Sequence, residues 1–192
     1  TIDRFTFPFD SGTATHVGNL NNGLRLHAAN NSSTHGYICG GWNGSNNLSI
    51  IDRFTFPFDS GTASHVGNFN NTRWRLSCNN SSIHGYACGG LDGRIARSTI
   101  DRFTFPFDSG TATHVGNLSV GNDYNSANNS STHGYACGGY DTENISTIDR
   151  FTFPFDSGTA SHVGNLTGSR RNAVATDGCD FVNHLTGNVP SR

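Results

Sequence analysis

The stretch that decides the fold lies at positions 2–12 and reads Ile-Asp-Arg-Phe-Thr-Phe-Pro-Phe-Asp-Ser-Gly. It begins again at Ile51, Ile100 and Ile148, at steps of 49, 49 and 48 residues. In each copy the phenylalanines alternate with Arg, Thr and Pro, a period of two that is typical of a β-strand with one buried face. The chain is therefore predicted to be a repeat protein whose unit carries an aromatic strand.

Three further strand-like pieces surround the aromatic strand in each repeat. With it they make four strand types: the first at His35–Gly41, the second, which is aromatic, at Ile50–Phe56, the third at Ala14–Asn19 and the fourth at about Leu24–Ala29. The Asp-Ser-Gly after the aromatic strand is predicted to be a turn, and so is the repeated Asn-Asn-Ser-Ser. The proline before that turn cannot donate to a strand ladder, which places it at a strand end or on an edge.

Composition supports an all-β fold and excludes two classes of function. Lys, Gln and Met are absent and Glu143 is the only glutamate, so three of the residues that favour helices are missing and a fourth is almost missing. A net charge of −2 and 14% charged residues argue against a nucleic-acid binder, which would carry a basic patch. No apolar run approaches the length of a membrane span. Because the sequence begins at Thr1, we expect a processed chain or a piece of a longer one.

The order of motifs within the repeat resembles a known family. It runs His-Gly-Tyr-x-Cys-Gly-Gly, a variable loop, Ile-Asp-Arg-Phe-Thr-Phe, a turn, His-Val-Gly-Asn-Leu and a second variable loop. This order resembles kelch-type β-propeller repeats, and it is most similar to the kelch-like arrays in tail-fibre and appendage proteins of aquatic bacteriophages. The likeness covers about 185 of the 192 residues. It departs from many kelch blades in the third strand, where His16 and Val17 stand in place of tryptophan.

The resemblance implies a single propeller domain over residues 1–192, with four blades of about 49 residues. The chain opens on a second-type strand at Ile2 and ends near a degraded first-type strand at 180–183, within a degraded copy that spans 173–187. We therefore expect the amino-terminal strands to complete the last blade and close the ring, which removes free sheet edges. The alternative is an open segment of a larger ring that neighbouring chains complete.

Two sets of loops differ in how far they repeat. Loops of the first set are the same in copy after copy (Pro-Phe-Asp-Ser-Gly-Thr and Asn-Asn-Ser-Ser), and their end of the strands is called the uniform face. Loops of the second set differ in every copy, and theirs is the variable face. Trp, Tyr and Arg gather in the variable loops and are the usual anchors of binding surfaces. The candidate ligand-binding residues are Arg25, Trp42, Asn43, Arg73, Trp74, Arg75, Asp92, Arg94, Tyr124, Tyr140, Glu143 and Arg170.

These loops and the resemblance together predict a non-enzymatic tail-fibre or appendage module, carried outside the cell on a virion. It is expected to bind a host-surface glycan or protein through the variable face, and to associate with itself or with other appendage proteins. One alternative is a purely structural, self-assembling fibre component whose variable loops are idle. Another is a secreted lectin. Neither nucleic acid nor membrane insertion is expected.

Catalysis, metal binding and a cofactor are not expected. Cys39, Cys88 and Cys137 recur with the fold, and free cysteine commonly serves as a small buried hydrophobe. Seven of the nine histidines also recur with the repeat, which favours structural hydrogen bonds over a converging acid–base or metal site. No G-x-S-x-G, H-E-x-x-H or P-loop sequence is present.

Overall fold

The structure is a computed structural model that describes residues 1–173. The predicted strand at 180–183, nearly all of the degraded copy and Cys179 lie outside the described residues. Every regular element within residues 1–173 is a β-strand, which confirms the all-β prediction. In this part of the chain there is no helix long and apolar enough to cross a membrane.

Three four-stranded antiparallel sheets follow one another along the chain. The amino-terminal residues add a two-stranded pair, and a short hairpin lies within the second repeat. The first sheet is β3 (Ala28–Asn31), β4 (His35–Cys39), β5 (Ile50–Thr55) and β6 (Ser64–Asn68); the second is β7 (Ser77–Asn80), β8 (His84–Cys88), β11 (Thr99–Thr104) and β12 (Thr113–Asn117); the third is β13 (Ser126–Asn129), β14 (His133–Tyr140), β15 (Asn144–Thr152) and β16 (Ser161–Asn165). The two-stranded pair is β1 (Ile2–Arg4) with β2 (Thr15–Gly18), and the hairpin is β9 (Leu91–Asp92) with β10 (Ile95–Ala96).

The fourth predicted strand opens a sheet and does not end one. The strand expected at about Leu24–Ala29 lies at Ala28–Asn31, and it opens a sheet by pairing with His35–Cys39. Part of the predicted Asn-Asn-Ser-Ser turn is therefore strand. The turn itself is held by the Ser32 hydroxyl, which accepts a hydrogen bond from the backbone N–H of His35 at 3.0 Å.

Aromatic side chains join each sheet to the next. The ring of Tyr37 on β4 packs against Phe103 and Phe105 of the second sheet, with centroids 5.4 and 5.1 Å apart. Its hydroxyl accepts a hydrogen bond from the backbone N–H of Phe107 at 3.1 Å. Tyr86 on β8 makes the same contacts with the third sheet. The repeated Phe strand therefore supplies the core between sheets, because each ring buries about 150–250 Å².

Polar contacts recur along the same seams. The arginine of the first three Ile-Asp-Arg motifs pairs with the turn aspartate of the next repeat, in the pairs Arg4–Asp59, Arg53–Asp108 and Arg102–Asp156. The aspartate of the motif faces the histidine of the neighbouring strand, as in His65 Nδ1 to Asp52 Oδ1 at 3.1 Å. The strands that open the three sheets, β3, β7 and β13, lie side by side. The Asn30 amide on β3 donates to a backbone carbonyl of β7, and the Asn79 amide on β7 donates to one of β13.

The turns that follow β3, β7 and β13 meet at one place on the uniform face. Nine residues from three equivalent turns line a cavity of about 470 Å³: Asn31, Ser32, Ser33, Asn80, Ser81, Ser82, Asn129, Ser130 and Ser131. The three sheets therefore gather around a common inner edge. The aromatic side chains are less buried at the two ends of this series of sheets. Phe7, in the amino-terminal segment, is 82% exposed, and Tyr135, on β14, is half-buried.

Candidate binding surface

The loops of the variable face lie at one end of the sheets and are bonded to one another. Strand direction alternates in an antiparallel sheet, so the β4–β5 loop and the β6–β7 loop emerge at the same end. Isolated backbone bridges join Arg25 to Trp42, Trp74 to Leu91, and Asp123 to Tyr140. Each bridge links a loop between sheets to a residue that follows the second strand of a sheet or ends it.

The backbone of these loops repeats although the side chains do not. Leu26, Arg75, Tyr124 and Asn172 occupy equivalent positions, and all four have left-handed φ angles of 55–58°. Backbone N–H groups of Arg75, Tyr124 and Asn172 each donate to the carbonyl of the equivalent residue one repeat earlier, at 2.8, 2.8 and 3.1 Å. Left-handed residues other than glycine are costly and cluster at functional sites. The loops therefore present varied side chains on one fixed frame.

Two tryptophans form the first half of an aromatic–arginine stack on this frame. The guanidinium of Arg25 lies 3.8 Å from the ring centroid of Trp42. The ring of Trp42 is in turn 6.3 Å from that of Trp74, at an interplanar angle of 33°. Cation–π contacts of this kind contribute about 0.5–1 kcal/mol each at exposed sites.

Two tyrosines continue the stack. Arg75 lies 3.9 Å from the ring of Trp74 and 4.4 Å from that of Tyr124. Arg171 lies 5.9 Å from Tyr124 and 4.8 Å from Tyr140. The aromatic–arginine stack is thus Arg25, Trp42, Trp74, Arg75, Tyr124, Arg171 and Tyr140. Six of these seven residues were among the predicted candidates.

A buried carboxylate holds the middle of the stack. Asp123 is 1% exposed, and its Oδ2 accepts a hydrogen bond from Nη1 of Arg75 at 3.0 Å. Arg75 is therefore fixed between two rings by its charge partner. Of the two outer arginines, Arg25 ends the stack at Trp42, and Arg171 lies between Tyr124 and Tyr140. The sequence prediction did not include Asp123 or Arg171. The repeat spacing could have identified both, because they occupy the position equivalent to Arg25 and Trp74.

Arg73 lies in the interior and not on the surface where it was expected. Its side chain is 1% exposed, and Nη2 donates to Asp101 Oδ2 at 2.6 Å. Nη1 donates to the carbonyls of Gly89 and Thr99 and to the Thr99 hydroxyl. Thr99 and Asp101 lie on β11 and Gly89 directly follows β8, so Arg73 attaches the β6–β7 loop to the sheet that follows it.

The other predicted residues lie around the stack. Asn43 closes a turn by accepting the N–H groups of Ser45 and Asn46. Asp92 pairs with Arg97 at 2.7 Å. Arg94, Glu143 and Arg170 are exposed, and Arg170 donates from Nε to the carbonyl of Gly168. These residues share the variable loops with the stack but are not part of it.

The recurring cysteines Cys39 and Cys88 lie in the interior between strands. Cys39 and Cys88 are fully buried, and burial is the main cause that raises the pKa of the Cys88 thiol. A hydrogen bond with Cys78 and then burial raise the pKa of Cys39. Within residues 1–173, no three His, Cys, Asp or Glu side chains are grouped so that they could hold a metal ion.

Comparison with known proteins finds no family model that matches the chain and no significant similarity to a curated protein.

Proposed function

We propose that the chain is a non-enzymatic appendage module of the phage tail-fibre type, which binds a host-surface glycan or protein through its variable face. The observation that carries the proposal is the aromatic–arginine stack. Drift in loops without a role would scatter aromatic residues, whereas here four rings and three guanidiniums make continuous contact across successive repeats. Rigid loops rich in Trp, Tyr and Arg are typical of recognition surfaces.

One observation favours the structural alternative, a self-assembling fibre component. Ile83 on the uniform face is 55% exposed, and in an open array Phe7 and Phe5 of the amino-terminal segment stay exposed as well, at 82% and 48%. Exposed large apolar side chains are suited to contacts between copies or with other appendage proteins. This role is compatible with binding at the opposite face.

The binding role is tested by removing the four rings together, as Trp42→Ala, Trp74→Ala, Tyr124→Ala and Tyr140→Ala. We expect binding to cell envelopes of aquatic bacteria to weaken at least about tenfold, because truncated hot-spot residues commonly cost over 1 kcal/mol each. Ile83→Ala, at an exposed apolar site on the uniform face, is the control. Envelopes treated with periodate or with protease separate a glycan ligand from a protein ligand. Unchanged binding by a folded quadruple variant would leave the structural alternative.

For the architecture, we propose a kelch-like propeller of four blades in which β1 and β2 complete the last blade. Consecutive sheets related by a 49-residue step, side-by-side first strands and three equivalent turns around one cavity support it. Parallel bridges such as Asn68↔Thr111 also recur between successive repeats. The amino-terminal pair continues the series, because Asn19 is bridged to Thr62 in the same way.

Closure of the ring is tested with two glycines at equivalent positions. A Cβ on Gly67 would clash with the carbonyl oxygen of Gly110 and the ring of Phe107 in the next repeat. Gly67→Ala is therefore expected to cost about 1–3 kcal/mol in unfolding free energy. A Cβ on Gly164 meets no described atom within 4 Å. A closed ring brings Phe9 and Gly12 against Gly164. We therefore expect Gly164→Ala to lower the melting temperature about as much as Gly67→Ala does. An unchanged melting temperature for Gly164→Ala identifies an open array.

A further inference from the structure

We infer that the ligand of the variable face is anionic, a glycan carrying carboxylate, sulfate or phosphate groups that Arg25 and Arg171 bind. This inference rests on the proposed binding function and names its ligand class. Its starting point is that the rings of the stack already have partners. Guanidiniums lie 3.8 Å from Trp42, 3.9 Å from Trp74 and 4.8 Å from Tyr140. A neutral sugar that stacked on those faces would have to displace a cation.

The two outer guanidiniums of the stack lack an acidic partner. Arg25 and Arg171 are exposed, and neither forms an ion pair with any described residue. The middle arginine differs, because Arg75 is neutralised by Asp123 at 3.0 Å. Stacking on a ring restrains a guanidinium while leaving its in-plane N–H donors free. Those donors match carboxylate, sulfate and phosphate oxygens in bidentate geometry.

The surrounding charges favour the same sign of ligand. Four arginines in the variable loops have no carboxylate partner among the described residues: Arg25, Arg94, Arg170 and Arg171. Two carboxylates on this face have no cationic partner, Asp141 and Glu143, and both are exposed on the β14–β15 connection. Among residues 1–173, the unpaired charges of the variable face are therefore positive in balance, four arginines against two carboxylates. The turn aspartates Asp10, Asp59, Asp108 and Asp156 lie on the opposite, uniform face.

The test is a glycan array in which every acidic member has a neutral counterpart of the same backbone, such as polygalacturonate and its methyl ester. We expect binding to acidic members only, with affinity that falls as salt rises. Arg25→Gln and Arg171→Gln should each weaken that binding about tenfold, as for loss of a charge-assisted contact. Arg4→Gln is the control, because Arg4 lies on β1 and pairs with the exposed Asp59 on the uniform face, away from the variable loops.

Each outcome decides the inference. Binding to neutral members alone, equal binding to both members of a pair, or binding to no acidic member overturns it. Equal binding to a DNA oligonucleotide would show that the face binds polyanions in general, and it would also overturn the inference. The proposed function fails separately, if cell envelopes are bound equally well by the protein and by its folded four-ring variant. A protein that binds envelopes through the rings but only neutral glycans therefore keeps the function and loses the inference.

Discussion

Arg73→Ala is expected to lower the free energy of unfolding by about 3–5 kcal/mol, the usual cost of removing one partner of a buried ion pair. Arg73 is 1% exposed and its partner Asp101 is 3% exposed. The substitution leaves the Asp101 carboxylate without its cation in a site closed to water. It also removes the N–H donor of the hydrogen bonds that the carbonyls of Gly89 and Thr99 accept. Urea denaturation followed by circular dichroism measures the loss.

Arg94→Ala is the control for Arg73→Ala, because Arg94 is an exposed arginine on the β9–β10 hairpin. A change within about 0.5 kcal/mol is expected there. If Arg73→Ala does not fold, the pair Arg73→Met with Asp101→Asn removes both charges while keeping their volume, and it should recover much of the stability. An equal, small loss at Arg73 and Arg94 would contradict the buried role of Arg73.

The position of Arg73 shows where sequence reasoning ends in this chain. An arginine in a loop that differs between repeats was predicted to face solvent. The equivalent residue in the preceding repeat is Leu24 and in the next is Asn122, which is 2% exposed. An apolar residue at the equivalent position indicated an inward-facing site. The depth of that site, however, depends on contacts with the following sheet, which no local pattern encodes.

The strands and the face of the candidate site were more predictable. The period-two phenylalanines and the missing helix formers follow from local rules, and all three full sheets contain the expected strand types. The contact between Trp42 and Trp74 could not be predicted, because 32 residues separate them and their approach depends on the packing of neighbouring sheets. The left-handed frame was hidden for a related reason. Leu26, Arg75 and Tyr124 carry no glycine-like signal for positive φ.

Tyr86→Ala is expected to cost about 3–5 kcal/mol, as for truncation of other buried aromatic residues. The side chain is 0% exposed and lies between two sheets. Its ring stacks on Phe153 at 5.1 Å and 22°, and packs on Phe151 at 5.4 Å. Alanine would leave a cavity between rings that belong to different sheets. Thermal denaturation by calorimetry should register a lower melting temperature and a less cooperative transition, since the seam between the sheets is weakened.

Tyr86→Phe separates the hydroxyl from the ring. The hydroxyl accepts the backbone N–H of Phe155 at 3.1 Å, so its removal leaves that donor unpaired and should cost about 1–3 kcal/mol. Tyr37→Ala repeats the experiment one seam earlier, where Phe103, Phe105 and the N–H of Phe107 make the same contacts. Similar losses of stability are expected for Tyr37→Ala and Tyr86→Ala, because the two tyrosines make the same contacts between neighbouring sheets. If either alanine variant loses less than about 1 kcal/mol, the phenylalanine strands are not what holds neighbouring sheets together.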